Sequence, residues 1–277
     1  MFSLRAILRH MGVVVAGAAT AAQPAGRLYI NYSRMPPAQD LLACDLCLLD
    51  PNAKADLHPG QALGHRFLAY LSLVELAKGS PVEAAAKKHG VPFVGTNEAW
   101  ASRVMDVTSQ AWHDFVLEEA ATALAKGYDG WFLDTADAAS RTAVFTDTAK
   151  SRQAVMAMVQ ELHRRWPDRQ IIINRGFELL HGLASAINGV LVESVFQSFD
   201  PATRHFRAVS PPDSQWLIAR IREAQALKLP VYAVDYVAPA DRTLAEETLR
   251  RLQALKCVGL ITTPALNGQI VAPALIK

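Results

Sequence analysis

The chain has 277 residues, 51% of them hydrophobic, and its formal net charge is +2 at pH 7. This composition allows a full buried core, and an α/β barrel of this length folds as one domain. The small net charge, with lysines and arginines scattered along the chain, argues against a nucleic-acid-binding protein. The cysteines, Cys44, Cys47 and Cys257, lack a second ligand pair for a metal or redox site, so we interpret them as core thiols and expect no cofactor.

The first 22 residues have the pattern of a secretory signal peptide. Two arginines and a histidine lie within residues 5–10, a short apolar run follows, and Ala19-Thr20-Ala21 is a small-x-small cleavage site. We therefore predict export to the periplasm or the medium, with a mature domain of residues 23–277. The apolar run is too short to remain as a membrane span. The alternative is an N-terminal helix of a cytoplasmic protein.

Eight short apolar runs follow, each typical of a buried parallel strand. Longer amphipathic stretches typical of helices lie between them, most clearly at residues 109–126, 147–166, 214–227 and 240–255. The predicted strands are residues 28–32, 46–49, 67–73, 130–133, 171–173, 190–192, 231–234 and 258–261.

Alternation of eight strands with helices predicts a single (β/α)8 barrel. An open doubly wound sheet is the alternative, but no glycine-rich phosphate turn follows the first strand. This alternation of strands and helices is interrupted once, between the third strand and the next long helix. There we predict a long loop at residues 76–108, with a small helix near residues 82–89 and a short strand at 92–95. Loops of this length at the carboxyl-terminal face of a barrel usually carry function.

Two of the apolar runs end in a carboxylate, at Asp134 and at Glu193. An ionised acid inside a buried strand would carry a large desolvation cost, so we expect both acids at strand ends in a cavity. Catalytic groups of barrel enzymes come from this face. Two such carboxylates favour glycoside hydrolysis, with either a retaining or an inverting outcome according to their separation.

Other polar and aromatic residues follow the strands at the same face and are candidates for substrate binding. A structural role is the alternative for several of them: Asp50 and Asp137 as helix caps, Glu75 as an ion-pair partner of Arg103 or Arg175, and Asn174 as a partner of loop backbone. The predicted substrate-binding residues are Tyr32, Asp50, Tyr70, Glu75, Trp100, Asp137, Asn174, Arg175, Asp235 and Tyr236.

Competing chemistries fit the strand ends less well. Metal-dependent hydrolysis would use histidines there, yet the histidines fall in predicted helices and loops, so we expect no metal. A Schiff-base enzyme would use a lysine where the sixth strand ends in Glu193. The clustered acids predict a strongly negative mouth, which would attract a cationic substrate.

At these residues the chain resembles the endo-α-1,4-polygalactosaminidases and the related hydrolase domain of the Pel exopolysaccharide system. One departure is Val74, where the family pattern has a glycine before Glu75. The resembling segments are residues 69–75, 105–108, 127–135, 173–178, 192–196 and 231–236.

The resemblance implies a (β/α)8 barrel that cleaves α-1,4-linked galactosamine or N-acetylgalactosamine polymers in mid-chain, with Asp134 and Glu193 as the catalytic pair. It further implies that Asp134, on the fourth strand, is the nucleophile of a retaining mechanism and that Glu193 is the general acid and base. The expected partner is the polysaccharide itself, and we expect a monomer. A non-catalytic binding protein for a cationic biofilm polysaccharide, on the same fold, is the alternative.

Overall fold

The computed structural model describes residues 26–272. The predicted signal peptide at residues 1–22 lies outside this range. No helix within residues 26–272 is long and apolar enough to cross a membrane.

The described part of the chain contains fourteen strands, eight α-helices and three short 3-10 helices. The strands are β1 (Leu28–Asn31), β2 (Leu46–Leu49), β3 (Arg66–Ser72), β4 (Glu75–Ala77), β5 (Phe93–Asn97), β6 (Ser102–Met105), β7 (Gly130–Asp134), β8 (Gln170–Asn174), β9 (Gly189–Glu193), β10 (Gln197–Asp200), β11 (His205–Ala208), β12 (Val231–Tyr236), β13 (Val258–Thr262) and β14 (Ile270–Ala272). The α-helices are α1 (Ala38–Leu41), α2 (His58–Ala62), α3 (Pro81–Lys88), α4 (Gln110–Ala125), α5 (Thr148–Arg165), α6 (Leu180–Leu183), α7 (Pro211–Ala226) and α8 (Arg242–Ala254). The 3-10 helices are Glu98–Trp100, Ala136–Ser140 and Phe177–Leu179.

Eight of these strands form one parallel sheet in the order β1-β2-β3-β7-β8-β9-β12-β13, and β14 pairs antiparallel with β13. The segment between β13 and β14 joins the sheet back to β1, where Tyr32 N–H donates to the Leu266 carbonyl (2.8 Å) and Gly268 N–H to the Ile30 carbonyl (3.1 Å). Gly268 has a φ of +90°, and a Cβ there would overlap the Tyr29 hydroxyl, so the closing segment requires glycine.

Two apolar layers follow from the alternation of side chains along the strands. One layer lies between the sheet and the helices. The other fills the barrel and receives a side chain from each of the eight parallel strands, which confirms the predicted barrel-type fold. The inner layer consists of Leu28, Ile30, Leu46, Leu48, Leu68, Phe132, Ile172, Leu191, Tyr232, Val234, Tyr236 and Leu260.

The surrounding helices begin where the sequence provides a cap. The Asp147 carboxylate accepts the Lys150 N–H (2.9 Å) at the start of α5, and Ser210 caps α7, whose first residue is proline. One face of α5, including Val155 and Met158, is fully buried against the sheet. All three cysteines are free and buried, as expected for core thiols.

The segment after β3 contains the small helix and the short strand that we predicted, as α3 and β5, but with β4 and β6 it is more regular than the predicted long loop. β4, β6 and β5 form a three-stranded antiparallel sheet, and α3 packs beside it. We call residues 75–105 the insertion. Its backbone groups pair with one another because strands so close in sequence can form a ladder locally.

Candidate active site

Three neighbouring strands end in polar residues that meet at one point. Asp134 ends β7, Asn174 ends β8 and Glu193 ends β9. Each follows by two positions a residue of the inner layer, so all three side chains belong to the inward-facing set of their strands.

The next residue in each case has a left-handed backbone: φ is 63° at Thr135, 52° at Arg175 and 59° at Ser194. Non-glycine residues with such a backbone are uncommon and cluster at functional sites.

Asn174 connects the two acids through its amide nitrogen. Nδ2 donates to Oδ1 of Asp134 at 2.8 Å and to Oε1 of Glu193 at 2.7 Å. The two accepting oxygens therefore lie at most about 5.5 Å apart, so the two carboxyl groups are close neighbours. Both acids are within reach of one glycosidic bond.

Two tyrosines donate to the same pair. Tyr70 on β3 donates its hydroxyl hydrogen to Oδ2 of Asp134 (2.8 Å), and Tyr236 on β12 donates to Oε2 of Glu193. Burial and the nearby carboxylates raise the pKa of both phenols well above the ordinary value, so both remain donors. Tyr32 lies edge-on against Tyr70, with ring centroids 5.1 Å apart, and so supports that ring.

The two carboxyl groups have different surroundings. Asp134 accepts three hydrogen bonds, from Tyr70, Asn174 and the Thr135 N–H (2.7 Å), which hold its carboxyl group in place. Burial and the charge of Asp134 raise the pKa of Glu193 above its usual range, although Tyr236 and Asn174 oppose that rise. The raised pKa favours a protonated acid at Glu193.

A cleft with a volume of about 900 Å³ opens over these residues. The insertion borders it on the β3 side of β7, β8 and β9, and the β10–β11 hairpin with α7 borders it on the β9 side. Of the predicted site residues, the cleft is lined by Tyr70, Glu75, Trp100, Asp134, Asp137, Asn174, Arg175, Glu193 and Tyr236.

Two of these predicted residues, Arg175 and Asp137, interact with other groups at the cleft. Arg175 donates to the backbone carbonyl of Glu193 (2.9 Å), which ties the end of β8 to the end of β9. Burial raises the pKa of Asp137, with opposing contributions from Arg175 and Arg141.

Glu75 is 5% exposed and accepts from Arg141, Ser102 and Asn97. Its ion-pair partner is therefore Arg141, since Arg103 pairs with Glu83. The carboxylate anchors the insertion to the loop after β7, because a buried charge is stable only with such partners.

Asp235 does not reach the cleft, contrary to the sequence-based prediction. Its side chain is fully buried on the outer side of β12, where it accepts the backbone N–H groups of Val195 (2.6 Å), Phe196 (2.8 Å) and Gln197 (3.0 Å). Burial raises its pKa to about 6. Asp235 thus fixes the chain that follows Glu193.

Asp50 is not among the residues that line this cleft. Its carboxylate accepts the Asn52 N–H (2.7 Å) in a turn after β2, beside an adjoining pocket that shares Tyr70 and Glu75 with the cleft. The predicted strongly negative mouth is correspondingly weaker. The cleft contains the acids Glu75, Asp134, Asp137, Glu193 and Asp213, and also the arginines Arg141, Arg175 and Arg207.

Sequence reasoning missed several residues at the cleft. Arg141 lies in the loop after β7, and Asp213 and Trp216 lie on α7. The sequence shows a tryptophan within a predicted helix at residue 216. The helical pattern alone does not show that this side chain is half exposed or that it lines a cleft.

Comparisons with known proteins agree with this fold. The glycoside hydrolase domain of PelA from Pseudomonas aeruginosa is 30% identical, with a TM-score of 0.81 over 88% of this chain and 96% of that chain. Aspergillus fumigatus Ega3, solved in complex with galactosamine, has a similar fold at 14% identity, with a TM-score of 0.69 over 92% of this chain and 98% of that chain. A search of curated proteins gave no significant match.

A family model matches the chain from residue 14 to residue 275, a range that includes all of the described residues. This extent of match is independent of the site geometry and spans all eight parallel strands. The protein belongs to glycoside-hydrolase family GH114, and it is a glycoside hydrolase.

Proposed function

We propose that this enzyme cleaves α-1,4-linked galactosamine or N-acetylgalactosamine polysaccharide in mid-chain by a retaining mechanism. The observation that carries the mechanism is the Asn174 amide, which holds Asp134 and Glu193 within reach of one bond. The substrate class is supported by the likeness to the PelA domain and by the fold shared with Ega3, whose structure contains galactosamine.

In the first step, Glu193 donates its proton to the glycosidic oxygen while an oxygen of Asp134 attacks the anomeric carbon. The bond between that carbon and the glycosidic oxygen breaks, and a covalent glycosyl ester of Asp134 forms. The raised pKa of Glu193 supports its role as the acid, since the group must be protonated when substrate binds.

In the second step, Glu193 is ionised and takes a proton from a water molecule that attacks the same carbon. The ester bond to Asp134 breaks, and the sugar leaves with its original configuration. Asn174 and Tyr236 stabilise the Glu193 carboxylate that exists between the two steps.

The cleft's charge contributes less to the choice of substrate than the sequence suggested. Asp50 and Asp235 do not line the cleft, and Glu75 is neutralised by Arg141. The proposal of a galactosamine polymer depends on the comparisons and on exposed aromatic side chains at the cleft, such as Trp100, which is 67% exposed.

We propose further that residues 1–22 direct export and that residues 23–277 act as a monomeric mature enzyme. The basic start, short apolar run and small-residue cleavage site support this. Expression of the full chain, followed by N-terminal sequencing and size-exclusion chromatography with light scattering, tests both points. A mature protein that retains residues 1–22 would contradict the export proposal.

The test of function is hydrolysis of defined α-1,4-linked galactosamine and N-acetylgalactosamine oligomers. We expect new reducing ends, products from the middle of the chain, and an initial product with α configuration by NMR. A wild-type enzyme that binds these polymers without producing reducing ends would contradict the proposed substrate. An initial β product would contradict the retaining mechanism.

A further inference from the structure

The order of the strands places the two borders of the cleft on opposite sides of Asp134, Asn174 and Glu193. Asp134, Asn174 and Glu193 end three consecutive strands, β7, β8 and β9. The insertion follows β3, on one side of this group, whereas the β10–β11 hairpin and α7 follow β9, on the other. A polymer lying in the cleft therefore passes the catalytic pair between these two borders.

Each border presents an exposed tryptophan. Trp100 in the insertion is 67% exposed and Trp216 on α7 is 50% exposed. Within residues 26–272, these are the two exposed large apolar side chains that line the cleft. Exposed indoles at a cleft mark a binding surface, because an indole gains by covering its apolar faces.

Trp216 is held in place by its neighbours. The Phe177 ring meets it edge-on, with centroids 5.5 Å apart and an angle of 84° between the planes. The Arg220 guanidinium lies 5.7 Å from the indole centroid and is itself paired with Glu223. A ring fixed before binding loses little conformational entropy when a ligand stacks on it.

Asp213 lies three residues before Trp216 on α7 and also lines the cleft. Residues three apart are neighbours on one helix face, so the carboxylate and the indole share one surface. Asp213 is exposed, and it accepts the hydroxyl hydrogen of Ser210 at 2.6 Å. Arg207 also lines the cleft and has Asp200 as a neighbouring charge.

From these contacts we infer that Trp216 and Asp213 form a distal subsite for an amino-sugar unit of the same polymer. The indole stacks on the apolar face of the sugar ring, and the carboxylate binds the ammonium of a deacetylated unit. This inference rests on the proposed function and adds where the chain is held beyond the catalytic pair, on the β9 side.

The test compares short and long oligomers of galactosamine and of N-acetylgalactosamine. Trp216→Ala should raise KM for long oligomers by roughly two- to tenfold, with kcat and the short-oligomer kinetics unchanged. Asp213→Asn should raise KM for long deacetylated oligomers alone, and added salt should reduce that effect. Trp216→Phe, which keeps an aromatic ring, should restore part of the loss.

Phe93→Ala is the matched control. Phe93 is also half exposed with an arginine, Arg103, over its ring, but it does not line the cleft, so the kinetics should not change. An unchanged length dependence in Trp216→Ala, with an active wild type, would overturn the subsite and leave the proposed function intact.

Binding provides a readout that does not depend on turnover. In the Glu193→Gln background, Trp216→Ala should weaken binding of a long oligomer, measured by calorimetry, by the same factor. The wild type could show no cleavage while long oligomers still bind in a way that depends on Trp216. That result would contradict the proposed function and support the subsite. Equal binding with and without the Trp216 substitution would overturn the subsite.

Discussion

Tyr236 donates its phenolic hydrogen to Glu193 from the end of the adjacent strand β12. This hydrogen bond favours the ionised form of a carboxyl group that burial and Asp134 otherwise drive toward the protonated form. In the proposed mechanism, this contact therefore lowers the upper limit of the pH range in which Glu193 can act as an acid.

Tyr236→Phe removes that donor and should raise the pKa of Glu193 further. Because the acid must be protonated in the free enzyme, the alkaline limb of the kcat/KM profile should move to higher pH. A pH profile on a galactosamine oligomer measures this. The matched variant Tyr70→Phe removes a donor from Asp134 instead, and should leave the alkaline limb in place. Equal shifts of one limb in both variants would contradict the separate roles.

Asp134→Asn and Glu193→Gln should each lower kcat by roughly a hundredfold or more, since each removes a group that acts in the transition state. Circular dichroism would confirm that both variants fold. A folded Glu193→Gln protein with the wild-type rate would remove Glu193 from the mechanism.

Azide distinguishes nucleophile from acid. In Asp134→Gly, azide can attack the anomeric carbon in place of the carboxylate, so it should restore turnover of an activated glycoside and give a product of opposite configuration. Restored turnover with retained configuration would instead assign Asp134 as the acid and base. NMR of the glycosyl azide measures the configuration at its anomeric carbon.

Asp235 should make stability depend on pH. Its pKa is raised from 3.8 to about 6 in the folded protein, so the folded state binds more protons than the unfolded state between these values. The contribution of Asp235 to the free energy of unfolding is therefore largest below pH 3.8 and falls as pH rises through about 6, by about 1.4 kcal/mol per pKa unit.

Urea denaturation of the wild type and Asp235→Asn at several pH values measures this contribution as a difference. The gap in unfolding free energy between wild type and variant should shrink, or change sign, from pH 4 toward pH 7. A gap that stays constant would contradict the titration of Asp235 in this range.

Ser194→Gly should stabilise the protein. Ser194 has a φ of 59°, a conformation that glycine adopts without the steric cost borne by a Cβ. We expect a gain of about 1 kcal/mol, or a rise in Tm of roughly 2–4 °C, by calorimetry. Ser194→Val should lower Tm, and a lower Tm for the glycine variant would show that the serine side chain stabilises this turn.

The sequence determined the elements because each carries its own periodicity. Eight apolar runs became the eight parallel strands, and the four clearest helical patterns became α4, α5, α7 and α8. Asp134 and Glu193 were also predictable as strand-end residues, since the desolvation cost of a buried charge allows few other positions.

The tertiary structure decided which side of the barrel each strand-end residue faces. Strands buried on both sides are apolar throughout, so the sequence does not reveal which alternate residues point inward. Val234 and Tyr236 face the barrel interior, so Asp235 between them faces outward and is bound by backbone N–H groups. The same alternation turns Asp134, Asn174 and Glu193 inward, where one amide can bridge both acids. Contacts such as that between Glu75 and Arg141, 66 residues apart, depend on the pairing of β3 with β7, and no local pattern encodes them.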